Sequence, residues 1–154
     1  RDMKRKNNIF TSLDLDQERH ERHNIHLQQK YATIKEEEVR YEEIMTEDAE
    51  YLVVAFGSAA RIAQKAIEDC RSEGIKVGLL RPITLWPFPT KRVAELAGQV
   101  KGILCAEINA GQMVQDIRLA VEGKTPVSHY GRMGGMVPTP EEIAEVIRKQ
   151  LVQE

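Results

Sequence analysis

The chain has 154 residues, of which 42% are hydrophobic, enough for one core and too few for two. A net charge of -2 gives no electrostatic reason to expect nucleic acid or an anionic membrane as partner. No apolar run approaches a bilayer span, and the basic start (Arg1, Lys4, Arg5, Lys6) is not followed by the apolar segment of a signal peptide, so a soluble cytoplasmic protein is expected. The chain opens on Arg1 with no methionine ahead of it, as a piece of something larger or a processed chain does.

Residues 1–38 read as a linker and helical arm, and 39–154 as one α/β domain. The first dozen residues mix charge, Asn and Ser with isolated apolar positions and bury too little to offset the cost of ordering. From Asp14 to Glu38 good helix formers run without Gly or Pro, and Leu27, Tyr31 and Ile34 form a thin stripe, which predicts a helix packing by one narrow edge. Arg40–Met45 is a short strand whose acidic residues suit an exposed sheet edge.

Tyr51–Phe56 is a continuous apolar run, β-branched at its centre, that stops at Gly57-Ser58: a buried strand. The helix after it places Ala59, Ile62, Ala63, Ala66, Ile67 and Cys70 on one face and Arg61, Gln64, Lys65, Glu68 and Arg71 on the other, ending at Gly74. Its small residues allow close packing on a sheet. With Ile75–Leu80 as the next strand, residues 51–80 form a right-handed βαβ unit. In the run from Arg81 to Pro89, three prolines forbid regular structure and hold apolar side chains on an extended path that needs a surface. Thr90 is placed to cap a short helix burying Val93, Leu96 and Ala97, with Gly98 as its stop. Gly102–Ile108 is a further buried strand, Asn109-Ala110-Gly111 a turn, and Gln112–Glu122 a helix burying Met113, Ile117, Ala120 and Val121. Pro126–Tyr130 is the last strand, Gly131–Met136 a glycine-rich loop. Thr139-Pro140-Glu141-Glu142 is a capping box for a final helix burying Ile143, Val146, Ile147 and Leu151.

Few residues offer chemistry. Gly57-Ser58 is half of a dinucleotide fingerprint whose further glycines are replaced by Ala59, Ala60 and Arg61, and the second strand ends in Arg81-Pro82 where a ribose-binding acid is needed. Gly131–Gly135 lacks the Gly-Lys-Ser/Thr ending of a phosphate loop and reads as a turn or contact surface. His20, His23 and His26 lack a third ligand on their face and read as solvated; Cys70 and Cys105 read as small core residues without a C-x-x-C. The polar residues expected beyond the carboxyl ends of parallel strands, where such sheets meet ligands and partners, are Ser58, Arg61, Glu107, Asn109 and Gln112. For Glu107, inside a buried strand, pairing with Arg61, pairing with Arg81 and acceptance of the next helix's first amides all remain open, and a structural role outweighs a catalytic one. Arg81, Trp86 and Arg132, on the proline-rich run and glycine-rich loop, complete the candidate interface or strand-end pocket; no residue is assigned to catalysis, cofactor or metal.

Four segments carry a resemblance: Tyr51–Arg61, Gly74–Pro89 with its Arg-Pro-Ile-Thr-Leu-Trp-Pro-Phe-Pro run, Glu107–Met113 and Tyr130–Glu142. Together they resemble the C-terminal domain of the alpha-type subunit of 2-oxoacid:ferredoxin oxidoreductases, the 2-ketoisovalerate (branched-chain) enzyme most of all. The resemblance implies a transketolase C-terminal-like fold: a three-layer α/β/α sandwich with a five-stranded, mostly parallel mixed sheet, order 1-3-2-4-5, strand 1 antiparallel. It implies thiamine diphosphate, magnesium, iron–sulfur clusters and coenzyme A for the whole complex, none bound by this chain. The implied partners are a preceding pyrimidine-binding domain, the other subunits and, indirectly, ferredoxin. The implied work is domain packing and subunit assembly, the chain alone being inactive. Two alternatives share parts of this pattern, a transketolase or 2-oxoacid dehydrogenase E1-type domain and a free-standing small-molecule or anion-binding module.

Overall fold

The computed structural model describes residue 13 and residues 15–152. The linker expected over the first dozen residues lies outside them. The chain divides into two compact units, residues 1–37 and 38–154. The first contains α1 (Gln17–Glu37), a little shorter at each end than its sequence pattern suggests. The Asp16 carboxylate accepts the Arg19 amide at 3.0 Å, as an N-terminal cap does. Of the predicted stripe, Leu27 and Ile34 are partly buried and Tyr31 is exposed; no side chain of α1 is fully buried.

The second unit runs β1 (Tyr41–Ile44), β2 (Tyr51–Ala55), α2 (Gly57–Ser72), β3 (Val77–Pro82), α3 (Thr90–Ala97), β4 (Gly102–Glu107), α4 (Met113–Val121), β5 (Val127–Gly131) and α5 (Pro140–Ile147), with a last, wider turn over Arg148–Val152. The sheet order is β1-β3-β2-β4-β5, with β1 antiparallel to β3 and the other pairs parallel. The acid-rich segment 41–44 is thus an edge strand. β2 and β4 lie inside the sheet with both faces covered, which is why they read as unbroken apolar runs rather than alternating ones.

Register sorts alternate side chains into two cores. Val53 stands beside Leu79 and Leu104, under Ala59, Ala63, Ala66 and Ile67 of α2 and Ile143 and Ile147 of α5. Val54 stands beside Leu80 and Cys105, over Val93 and Leu96 of α3 and Val114 and Ile117 of α4. Helices on both faces make the sandwich three-layered. The face of α2 includes buried Ala60 as well as the predicted alanines, so the helix sits close to the strands.

Three local expectations are corrected. Arg81 and Pro82 belong to β3 rather than to the irregular run. Pairing with β2 ends at Val54–Leu80, so by Pro82 the strand faces only Tyr41 of β1, and a missing N–H costs no ladder bond on the β2 side. The irregular path starts at Ile83, where the Arg40 carbonyl accepts the Ile83 and Thr84 amides at 2.9 and 3.1 Å. Thr90 does not cap α3: Pro89 holds that position and the Thr90 hydroxyl turns to the Phe88 carbonyl at 3.5 Å. Arg71, predicted on the solvent face of α2, tethers the β1–β2 connection. Its guanidinium donates to the carbonyls of Val77 and Met45, each at 2.7 Å, and to Asp48. The capping box of α5 is present as predicted, with Thr139 accepting the Glu142 amide at 3.2 Å and Glu142 accepting the Thr139 amide at 2.9 Å.

Candidate functional site

The polar residues expected together at the strand ends separate into distinct groups. Ser58 and Arg61, on the first turn of α2, join Gln64, Glu42 and Arg81 around an open cavity of about 510 Å³ at the β1–β3 edge. There Arg81 donates to Glu42 at 2.8 Å, both half-exposed, while Arg61 makes no ion pair among the described residues. Neither arginine meets Glu107.

Glu107 ends β4 with its side chain fully buried. Of the three partners open to it in sequence, the amides of the next helix are the ones it takes. Its Oε2 accepts the Met113 amide at 2.9 Å, the Gln112 amide at 3.3 Å and the Asn109 side-chain amide at 2.9 Å. Its Oε1 accepts the Val114 amide at 3.2 Å and the Cys105 thiol at 3.3 Å. Burial pushes the carboxyl group's pKa up, but the bonds from Met113, Asn109, Cys105 and Val114 together outweigh it and hold Glu107 below the usual carboxylate value. The ionised carboxylate therefore takes the place of a cap at the positive end of α4, fixed by the backbone rather than by a countercharge.

The Asn109 side chain completes the turn by accepting the Gly111 and Gln112 amides at 2.8 and 3.1 Å. Gly111 has φ +107, which only glycine adopts without strain. From β5, the His129 imidazole closes the group: its Nε2 lies 3.4 Å from Glu107 Oε1. His129 is the residue that sequence reasoning missed. The signal exists only in the register, which sets His129 beside Cys105 across the β4–β5 pair.

An acid, a thiol and an imidazole invite comparison with a nucleophilic triad, but the order of contacts is wrong for one. The thiol donates to the carboxylate instead of to the imidazole, and burial, followed by the Glu107 charge, drives the Cys105 pKa far above the usual thiol range. No thiolate nucleophile forms there.

Arg132, after β5, donates to Glu142 at 2.7 Å and so ties the glycine-rich loop to the capping box of α5. Trp86 lies on the proline-rich run, 55% exposed, with Ile83 and Leu85 also exposed beside it in sequence. Ile108 after β4 and Met133, Met136 and Val137 after β5 are exposed as well. These segments follow the carboxyl ends of the parallel strands β3, β4 and β5, whereas Leu119 on α4 and Met45 after β1 are exposed elsewhere.

The described residues do not fit a metal centre or a cluster. Among the described residues no three His, Cys, Asp or Glu side chains are grouped to hold a metal, and Cys70 and Cys105 are buried in the cores on opposite faces of the sheet. Among the same residues no helix is long and apolar enough to cross a membrane.

Residues 49–143 match the family model of pyruvate:ferredoxin oxidoreductase core domain II. The chain belongs to that family. Over 142 residues, 92% of its length, the chain is 47% identical to ketoisovalerate oxidoreductase subunit VorB of Methanothermobacter thermautotrophicus. The chain spans 40% of that relative's length. Among solved structures it is similar to the 2-oxoglutarate:ferredoxin oxidoreductase of Magnetococcus marinus, with TM-score 0.72 and 20% identity over 90% of this chain and 24% of that one. It is also similar to a split-gene transketolase, with TM-score 0.62 and 18% identity over 73% of this chain and 41% of that one. At these identities the two structures speak for the fold: the sheet has the strand order expected of a transketolase C-terminal-like domain.

Proposed function

We propose that this chain is the supporting part of a thiamine-diphosphate-dependent 2-oxoacid:ferredoxin oxidoreductase, which decarboxylates a branched-chain 2-oxoacid such as 2-ketoisovalerate to its acyl-CoA. The substrate class rests on the 47% identity to a ketoisovalerate oxidoreductase subunit. In such an enzyme thiamine diphosphate supplies the electron sink for decarboxylation. This chain's own residues bind none of the reacting groups. They present a surface.

The observation that carries this reading is the apolar rim: Ile83, Leu85, Trp86, Ile108, Met133 and Met136 are all exposed at the carboxyl end of the parallel strands. Exposed apolar residues gathered at one end of a domain favour burial against a partner. The rim is assigned to a pyrimidine-binding domain of the same subunit and to the other subunits, with ferredoxin met only through them. Residues 1–38 are assigned to a linker and helical arm. Both cysteines are free and buried, which suits a cytoplasmic enzyme.

The test is turnover. The 154-residue chain is supplied with thiamine diphosphate, magnesium, coenzyme A, 2-ketoisovalerate and an oxidised ferredoxin, with and without the remaining subunit portions. Acyl-CoA formation and ferredoxin reduction are expected only when those portions are present. Turnover by the chain alone would overturn the assignment.

A further inference from the structure

The proposed function leaves unused the imidazole of His129, a partly buried side chain whose Nε2 is turned inward. Its Nε2 is the only buried side-chain nitrogen or oxygen among the described residues without a hydrogen bond, although Glu107 Oε1 lies 3.4 Å away. Two glycines shut it in: a Cβ added at Gly131 would lie 2.8 Å from His129 Cε1, and one at Gly111 would lie 3.6 Å from Nε2. Around it stand Glu107 and Cys105 on β4 and the Asn109–Gly111 turn, with Asp116 and Arg118 of α4 acting on Cys105 from further off.

A bare Nε2 lone pair there would face an ionised, fully buried carboxylate oxygen, and two electron-rich atoms would repel with no solvent between them. An Nε2–H instead sets a donor 3.4 Å from an oxygen with room for another bond, a small side-chain rotation short of hydrogen-bond geometry, since Oε1 accepts only the Val114 amide and the Cys105 thiol.

We propose that His129 carries its proton on Nε2 and acts as a positioning residue that clamps Glu107, and through it the Ile108–Gln112 turn, onto β5. The clamp joins the strand to the turn through the carboxylate that seats the first amides of α4. It sets how Ile108 and the exposed Gln112 are held at the rim, and this consequence for assembly rests on the reading above.

The test uses the full 154-residue chain, labelled with nitrogen-15. Long-range proton–nitrogen correlation reads the tautomer of His129 directly, and the Nε2–H form is expected. Hydrogen exchange reads the clamp. In His129→Leu the Met113 and Val114 amides are expected to exchange roughly tenfold faster, whereas His129→Gln, whose side-chain amide supplies a donor at the Nε2 position, stays within about twofold of the parent. An Nδ1–H tautomer with bare Nε2 overturns the proposal, and this reading needs no variant to fold. Equal exchange in the two variants overturns it as well. Assembly with the remaining subunit portions is measured separately, so normal assembly of a loosened His129→Leu chain counts against the rim and leaves the clamp standing.

Discussion

Two acids on strands that β3 and β2 hold apart meet opposite fates. Glu107 is fully buried and accepts backbone amides, an amide side chain and a thiol, whereas Glu42 at the β1 edge is half-exposed and meets Arg81 at 2.8 Å. The formal ion pair is the weaker device: water screens it, and holding two long side chains together offsets much of its attraction. The buried carboxylate has no cation but cannot leave its donors without stranding them. Partner geometry, rather than opposite charge, decides which acid the fold depends on.

Replacing Glu107 by Gln should show the larger side of this contrast. An amide nitrogen would face backbone N–H groups, and unfolding by urea should register a loss of about 3 kcal/mol. The same residue sets an acid dependence. Its folded pKa lies below the ordinary 4.5, so its contribution is fully present above that value and is lost as pH falls through the folded one. Melting temperature followed from pH 7 downward should fall more steeply in the parent than in Glu107→Gln across that interval.

Gly131→Ala comes next. A Cβ there would lie 2.2 Å from the Asn109 carbonyl oxygen, so β5 or the turn must move, with an expected loss of about 2 kcal/mol in the same urea experiment. Arg81→Ala, at the exposed pair, should cost less than about 0.5 kcal/mol. A larger loss at Arg81 than at Gly131 would reverse the ranking.

How much of this the sequence discloses follows from how far apart the partners lie along the chain. The Tyr51–Leu80 unit is legible because strand, small-residue helix face and second strand are contiguous. The capping box of α5 is legible because Thr139 and Glu142 are three residues apart. The strand order came from the resemblance, since local patterning does not say which parallel strand neighbours which. Glu107 stood out as an acid in an apolar run, but its choice between arginines and amides depends on which way the strand end faces. His129 left no trace, because its meaning comes from register with Cys105. Arg71 was misassigned because its face of the helix is solvent by periodicity, while its reach is to the carbonyls of Val77 and Met45. The cluster of strand-end polar residues was expected as one group; the sheet puts Ser58, Arg61 and Arg81 at one edge and Glu107 with Asn109 beside β5.

The most direct test of a chain that works by offering a surface is the strength of its assembly with the remaining subunit portions, measured by sedimentation for the parent, Trp86→Asp and Met133→Asp. Both side chains are more than half exposed, at 55% and 59%, so the melting temperature of the chain should shift by less than about 2 °C. Assembly weakened at least roughly tenfold by either change is the predicted result. Parent-like assembly in both variants would contradict the account.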